Sequence, residues 1–284
     1  MTQAFTTDTV LKHVDDQGIC TITLNRPQAL NAMNGELVDF LWHHFYEMAY
    51  EPDVRVVILT GAGPRGFCVG ADLKERKDMT PMQVRKRIDD YGRCFEAIDS
   101  LPKPVICAIN GFAFGGGLEL ALACDLRLMS TQAKVGLTEL KLGIIPGAGG
   151  TQRLPRLIGA ARAKQMIFTG ERLDAARALE MGVINEACAP EALMERARAG
   201  CDDARQRAHR PGPSQARHRR GPGDRPAHGP QARVSSLRRD HPHQGPRRGL
   251  GGVRAEAKAQ LQRPLIPCSL RFTSPLPIHP TSPS

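Results

Sequence analysis

No run of apolar residues in this 284-residue chain approaches the roughly 18 that a membrane-spanning helix requires. The first residues, Met1 to Val10, have neither a basic start nor an apolar stretch, so no signal peptide is expected. The eight cysteines show no CxxC pair and no zinc-ligand spacing. Reduced core thiols in a cytoplasmic protein are the expectation. No Ser/His/Asp or Cys/His set lies in surroundings suited to nucleophilic catalysis, and no metal-ligand set is visible. The glycine-rich stretches lack GxGxxG spacing, and no Lys-Ser/Thr follows them as in a phosphate-binding loop. These absences exclude a disulfide framework, a zinc site and the familiar nucleotide loops.

Charge is present but unevenly placed. The net charge is +10, yet residues 201–284 alone carry fifteen Arg and one Lys against four Asp and one Glu, a net of +11. Residues 1–200 are therefore close to neutral. Thirteen of the 22 prolines and six of the nine histidines also fall in that tail, with hardly any periodic apolar pattern. Such a composition is expected to be disordered. It could serve as a basic arm binding RNA or DNA through phosphate contacts. The same Arg/Pro/Gly/His/Ala bias also arises when a GC-rich gene is read out of frame.

The body is organised around residues 104–125. Val105 to Ile109 is a β-branched apolar run bounded by Pro104 and Asn110-Gly111, the pattern of a core strand. Gly115, Gly116 and Gly117 follow as a tight turn, and a helix starts at them. The first amides of a helix lack intrahelical partners and sit at the positive end of its dipole. The turn can therefore hold an anion or oxyanion, cradle a phosphate, or serve only close helix–sheet packing. Glu119 lies just inside the same helix.

Before this stretch, Val10–Val14 and Ile19–Leu24 read as strands joined by a turn at Asp15-Asp16-Gln17-Gly18. A polar loop from Asn25 to Asn34 leads to a helix over about 35–50, with Leu37, Leu41, Phe45 and Met48 at helical spacing. His43 and His44 lie on it and are expected to be solvated or packed. Val54–Thr60 is a third, fully buried strand, and residues 61–72 form a second glycine-rich loop. A charged amphipathic helix spans about 81–100. Short strands are expected at 126–129, 134–136 and 183–187, and helices at about 161–169 and 174–181. Alternating strands and helices imply an α/β core. Two glycine loops that each follow a buried strand can converge at one end of the sheets. Amides from both could then grip one oxygen, and two nearby carboxylates could supply acid/base chemistry.

Residues 10 to about 198 resemble the enoyl-CoA hydratase (crotonase) family. The segments that carry the resemblance are Asn25-Arg-Pro-Gln-Ala-Leu-Asn-Ala32, Phe67-Cys-Val-Gly-Ala-Asp-Leu-Lys74, Asn110-Gly-Phe-Ala-Phe-Gly-Gly-Gly-Leu-Glu119, and the run from Gly136-Leu-Thr-Glu139 through Thr151-Gln-Arg153. The resemblance implies an α/β spiral of ββα units, assembled as a homotrimer or dimer of trimers. It implies an oxyanion hole from the amides of Ala71 and Gly116, and catalytic acids Glu119 and Glu139. Ala71, Asp72, Leu73, Lys74 and Gly116 would bind the acyl-CoA thioester, with Ala29 near the adenine end. Coenzyme A is part of that substrate, and no cofactor or metal is implied. The alternative role for Asp72 is to fix its own loop, and for Arg153 to make a structural ion pair. Phe112 and Phe114 are expected as core or acyl-pocket walls. The implied reaction is reversible hydration of a trans-2-enoyl-CoA; related isomerases and dehalogenases generally lack one or both acids. A methylglutaconyl-CoA hydratase-like enzyme is the close alternative, and an inactive protein that binds nucleic acid through its tail is the distant one. A crotonase should end in helices that complete the site, whereas this chain has the basic tail. Synonymous codons can be chosen for Cys201 to Leu265 so that the adjacent frame reads as a family-like C-terminus. The expected organisation is thus a catalytic core over 1–200 and a frameshifted, disordered 201–284.

Overall fold

The structure, a computed structural model, describes residues 8–208 of the chain. Strands β1 (Val10–Val14) and β2 (Ile19–Leu24) form an antiparallel hairpin. Asp15 fixes its turn by accepting from the amides of Gln17 and Ile19 at 3.1 and 2.9 Å. Helix α1 (Gly35–Met48) is capped by Asn34, whose side chain accepts from the Leu37 amide. Its Leu37, Leu41, Phe45 and Met48 form one buried stripe. Strands β3 (Val56–Gly61) and β4 (Gly66–Cys68) come next, then helices α2 (Leu73–Lys77) and α3 (Pro81–Asp99). Strands β5 (Val105–Ile109) and β6 (Phe112–Phe114) lead into α4 (Gly116–Leu122), followed by β7 (Leu126–Ser130) and β8 (Lys134–Gly136). The remainder is α5 (Gly150–Ile158), α6 (Ala160–Thr169), β9 (Leu173–Asp174), α7 (Ala175–Glu180), β10 (Glu186–Cys188) and α8 (Leu193–Ala208).

Two sheets result, in strand order β1-β2-β3-β5-β7-β10 and β4-β6-β8-β9. Three times the chain lays a strand in the first sheet and a three-residue strand in the second before helical segments carry it back: β3–β4, β5–β6 and β7–β8. Because β3, β5 and β7 pair in parallel, so do β4, β6 and β8. This is the spiral of ββα units. It places the ends of β4 and β6 side by side.

The central strands β3 and β5 of the first sheet are buried on both faces, which explains their β-branched residues. Val57, Leu59, Val105, Cys107 and Ile109 face the main core with α1, α3 and α4. The alternating residues Val56, Ile58, Ile106 and Ala108 face a second cluster closed by Leu193, Ala197 and Cys201 of α8. The boundary expected at residue 200 therefore falls inside a helix, because the apolar stripe at four-residue spacing continues to Cys201. The expectations for the rest of the tail, disorder and an altered reading frame, fall on 209–284 and lie outside the described residues.

Several elements differ from the sequence expectation. The run 104–125 is not strand, turn, helix: β6 intervenes before the glycines. Likewise β4 lies within the second glycine loop. The stretch 137–159, to which periodicity assigns no element, holds a 3-10 turn at Glu139–Leu142 and helix α5. The last short strand lies at Glu186–Cys188 rather than 183–187. Cys20, Cys68, Cys94, Cys107, Cys124 and Cys201 are buried and unbridged, and Cys188 is half-buried. Among the described residues no helix is long and apolar enough to cross a membrane.

Candidate active site

Each of the two adjacent parallel strands β4 and β6 ends in a glycine turn, so the turns meet. A Cβ placed on Gly70 would lie 3.1 Å from the Gly116 nitrogen, and one on Gly116 would lie 3.8 Å from the Ala71 nitrogen. The closeness depends on missing side chains. A Cβ on Gly117 would fall 1.8 Å from the Cys68 carbonyl oxygen, so only glycine lets α4 seat against β4.

The direction of the Ala71 amide follows from its neighbours. Ala71 forms a parallel bridge with Met33, in which Met33 donates to the Gly70 carbonyl and Asp72 donates to the Met33 carbonyl. Successive amides of an extended chain point to opposite sides. The Asp72 amide faces Met33, so the Ala71 amide points away from it. Gly116 is the first residue of α4, and its amide is one of those without an acceptor inside the helix. Two backbone donors from separate loops are thus brought together.

Glu119 lies one turn into α4 and is only 3% exposed. Its Oε1 accepts from two amides, Ala148 and Gly150, each at 2.8 Å. Gly150 opens α5, so the carboxylate also sits at the positive end of that helix. Burial raises the Glu119 pKa above its ordinary value. The amides of Gly150 and Ala148 and the charge of Arg153 oppose that rise.

Glu139 begins the 3-10 turn after β8, and its carboxyl lies over the other glycine turn. A Cβ on Gly115 would be 3.4 Å from Glu139 Oε1. Both carboxyl oxygens are buried, and among the described residues no neighbour donates a hydrogen bond to either. Burial, and then the charge of Glu119, pushes its pKa up to about 7. One carboxylate is clamped and the other is left free to exchange a proton near neutrality.

The other expected site residues frame this centre. Asp72 caps α2, accepting from Lys74 at 3.0 Å and Glu75 at 3.4 Å, and pairs with Arg26 at 3.0 Å. Burial works to raise its pKa, but the Arg26 and amide bonds outweigh it and hold the carboxyl low. That ion pair ties the 71–74 loop to the turn containing half-buried Ala29. Leu73 and Lys74 are exposed at the start of α2. Phe112 and Phe114 stack at 5.4 Å on one face of β6, and Arg172 covers Phe114. His44 is half-buried, and burial lowers its pKa. A surface recess of about 460 Å3 lies between α1 and α3 beside Trp42, His43 and Arg93. It is not the site, because the buried acid pair and the converging amides are elsewhere.

The family model described as enoyl-CoA hydratase/isomerase matches residues 15–210. The chain belongs to the enoyl-CoA hydratase/isomerase family. It is 50% identical over 190 residues to the Bacillus subtilis protein YngF, named for that family, covering 67% of this chain and 73% of that one. It is 44% identical over 180 residues to the short-chain-enoyl-CoA hydratase of Clostridium acetobutylicum, covering 63% of this chain and 69% of that one. The crystal structure of an enoyl-CoA hydratase from Bacillus anthracis superposes with a TM-score of 0.68 at 44% identity, covering 69% of this chain and 76% of that one.

Sequence reasoning did not single out the Ala148 and Gly150 amides, which hold Glu119. The signal was available: Gly147-Ala-Gly-Gly150 is a third glycine run ahead of a helical segment, like the run before α4. Arg26 and the fully buried Asn31 were also missed. Asn31 bonds the Arg26 amide and the Ala62 and Gly66 carbonyls, holding the 25–34 loop against β4.

The unpaired Glu139 has a consequence for stability. Its folded pKa of about 7 exceeds the unfolded carboxylate value, so the folded state binds more protons in the interval between them. Stability then falls as pH rises through that interval. E139Q, which cannot ionise, should gain stability relative to the parent between about pH 5 and about pH 8, by roughly 2 kcal/mol after allowance for solvent. Denaturant unfolding at both pH values checks this; an unchanged difference would show that Glu139 is not held protonated by the fold.

Proposed function

We propose that the protein is an enoyl-CoA hydratase, adding water reversibly across the trans-2 double bond of an enoyl-CoA thioester to give a 3-hydroxyacyl-CoA. The observation that carries this is the pair of buried carboxylates beside two converging backbone amides. A proton shuttle that only moves a double bond needs one base. Hydration needs two groups, one to take a proton from water at the β-carbon and one to give a proton to the α-carbon.

The amides of Ala71 and Gly116 would hold the thioester oxygen, polarising the double bond and stabilising the enolate-like charge that develops as water adds. One such donor is worth about 10²–10³ in rate. Glu119, its Oε1 held by Ala148 and Gly150, would accept a proton from the attacking water. Glu139, to which no neighbouring described residue donates a hydrogen bond, would deliver its proton to the α-carbon. After one turnover Glu119 holds the proton and Glu139 is ionised, and exchange with solvent resets the pair. Coenzyme A belongs to the substrate. Ala29, Asp72, Leu73 and Lys74 would border it, and Met79, Val84 and Ile88, near Ala71, would border the acyl group.

Crotonyl-CoA hydration by the full chain tests the reading. E119Q and E139Q should each lower kcat by about 10²–10⁴-fold, and near-full activity in either would contradict it. The pH profile adds a second constraint. The forms reactive in hydration and dehydration differ only in which glutamate carries the single proton, so kcat/KM in both directions should follow one bell-shaped curve. Its alkaline limb should lie near Glu139's pKa of about 7 and disappear in E139Q. A limb unmoved by E139Q would assign it to another group.

A further inference from the structure

We propose that Arg153 is a positioning residue for the reaction, holding the loop whose two amides clamp Glu119; this rests on the hydratase reading above. The geometry is a chain of contacts. Arg153 Nη1 donates to the Ala148 carbonyl oxygen at 3.0 Å. The Ala148 amide on one side of that residue and the Gly150 amide two residues on both donate to Glu119 Oε1. The carbonyl between them is held by the guanidinium.

Gly149, between the two donors, has φ +106, and a Cβ there would fall 2.2 Å from Arg153 Nη1. The guanidinium therefore lies directly on the loop backbone. From the other side, Asp99 at the end of α3 approaches Arg153 Nη2 at 3.8 Å, tying the arrangement to the long helix that packs on α1. Three of the four residues from Gly147 to Gly150 are glycine, so the loop has little rigidity of its own. Without Arg153 its peptide planes are free to turn the two amides off the carboxylate. Arg153 touches Glu119 only through this loop and through its charge, which favours the ionised carboxylate.

A merely structural ion pair with Asp99 would affect folding and leave Glu119 unaltered. Two readouts on the full chain separate these roles. In protein carrying carboxyl-¹³C glutamate, with the Glu119 resonance assigned by E119Q, R153Q should shift the Glu119 titration to higher pH. R153K, which keeps the charge, should return it towards the parent position. In crotonyl-CoA hydration R153Q should lower kcat by about 10- to 100-fold with KM held within about twofold. A Glu119 titration unchanged in R153Q overturns the proposal, as does an unchanged kcat in an active parent. If R153Q does not fold, R153K decides: its single-pronged ammonium cannot reproduce the guanidinium fit, so kcat should fall at least about threefold at unchanged KM, and parental kcat would overturn the proposal. A parent with no hydratase activity would sink the functional reading, while the titration would still decide whether Arg153 positions Glu119.

Discussion

Two carboxylates buried within reach of one another's charge are the constraint on which the rest of the structure depends. Removing a carboxylate from water costs several kcal/mol unless it is hydrogen-bonded or neutralised. The protein meets that cost differently for each. Glu119 receives two amides and the positive end of α5. Glu139 receives no hydrogen bond from a neighbouring residue, and holding its proton to about pH 7 is the alternative to ionising unsupported. A site assembled for stability alone would pair both acids or replace one with an apolar residue. Keeping one unpaired makes sense where a proton must be given and taken back.

The fold brings these groups together by repetition. Each turn of the spiral lays a short strand in the second sheet, and the ends of β4, β6 and β8 deliver Ala71, Gly116 and Glu139 in that order. The central strands β3 and β5 of the first sheet are buried on both faces and supply the rigid support. Glycine acts where backbone must approach backbone, above all at Gly117, where α4 rests on the Cys68 carbonyl. The amides of Ala71 and Gly116 are thereby held in place by the fold itself.

Much of this was legible in the sequence. The β-branched strands at 56–61 and 105–109 and the stripe of α1 follow from local pattern, and β5 begins and ends where the pattern predicts. The acid pair and both glycine turns carried a recognisable family resemblance. The short strands β4, β6 and β8 are a different case, because three residues hold no periodicity and exist only through their neighbours in the second sheet. Helix α5 is masked by Pro155 within it and by four glycines between 143 and 150. The clamp on Glu119 left only a faint trace, the glycine run at 147–150, because it uses backbone amides, which every residue but proline possesses. The Arg26–Asp72 pair joins residues 46 apart in the chain, a contact that no local window contains.

The central claim is that the two glutamates act as one electrostatic unit. The most direct measurement is the titration of the Glu139 carboxyl, followed by ¹³C resonance in the parent chain and in E119Q. The account predicts that Glu139 titrates near 7 in the parent and at distinctly lower pH once the neighbouring charge is removed. A Glu139 that titrates as an ordinary surface carboxylate, or that does not respond to E119Q, would contradict it.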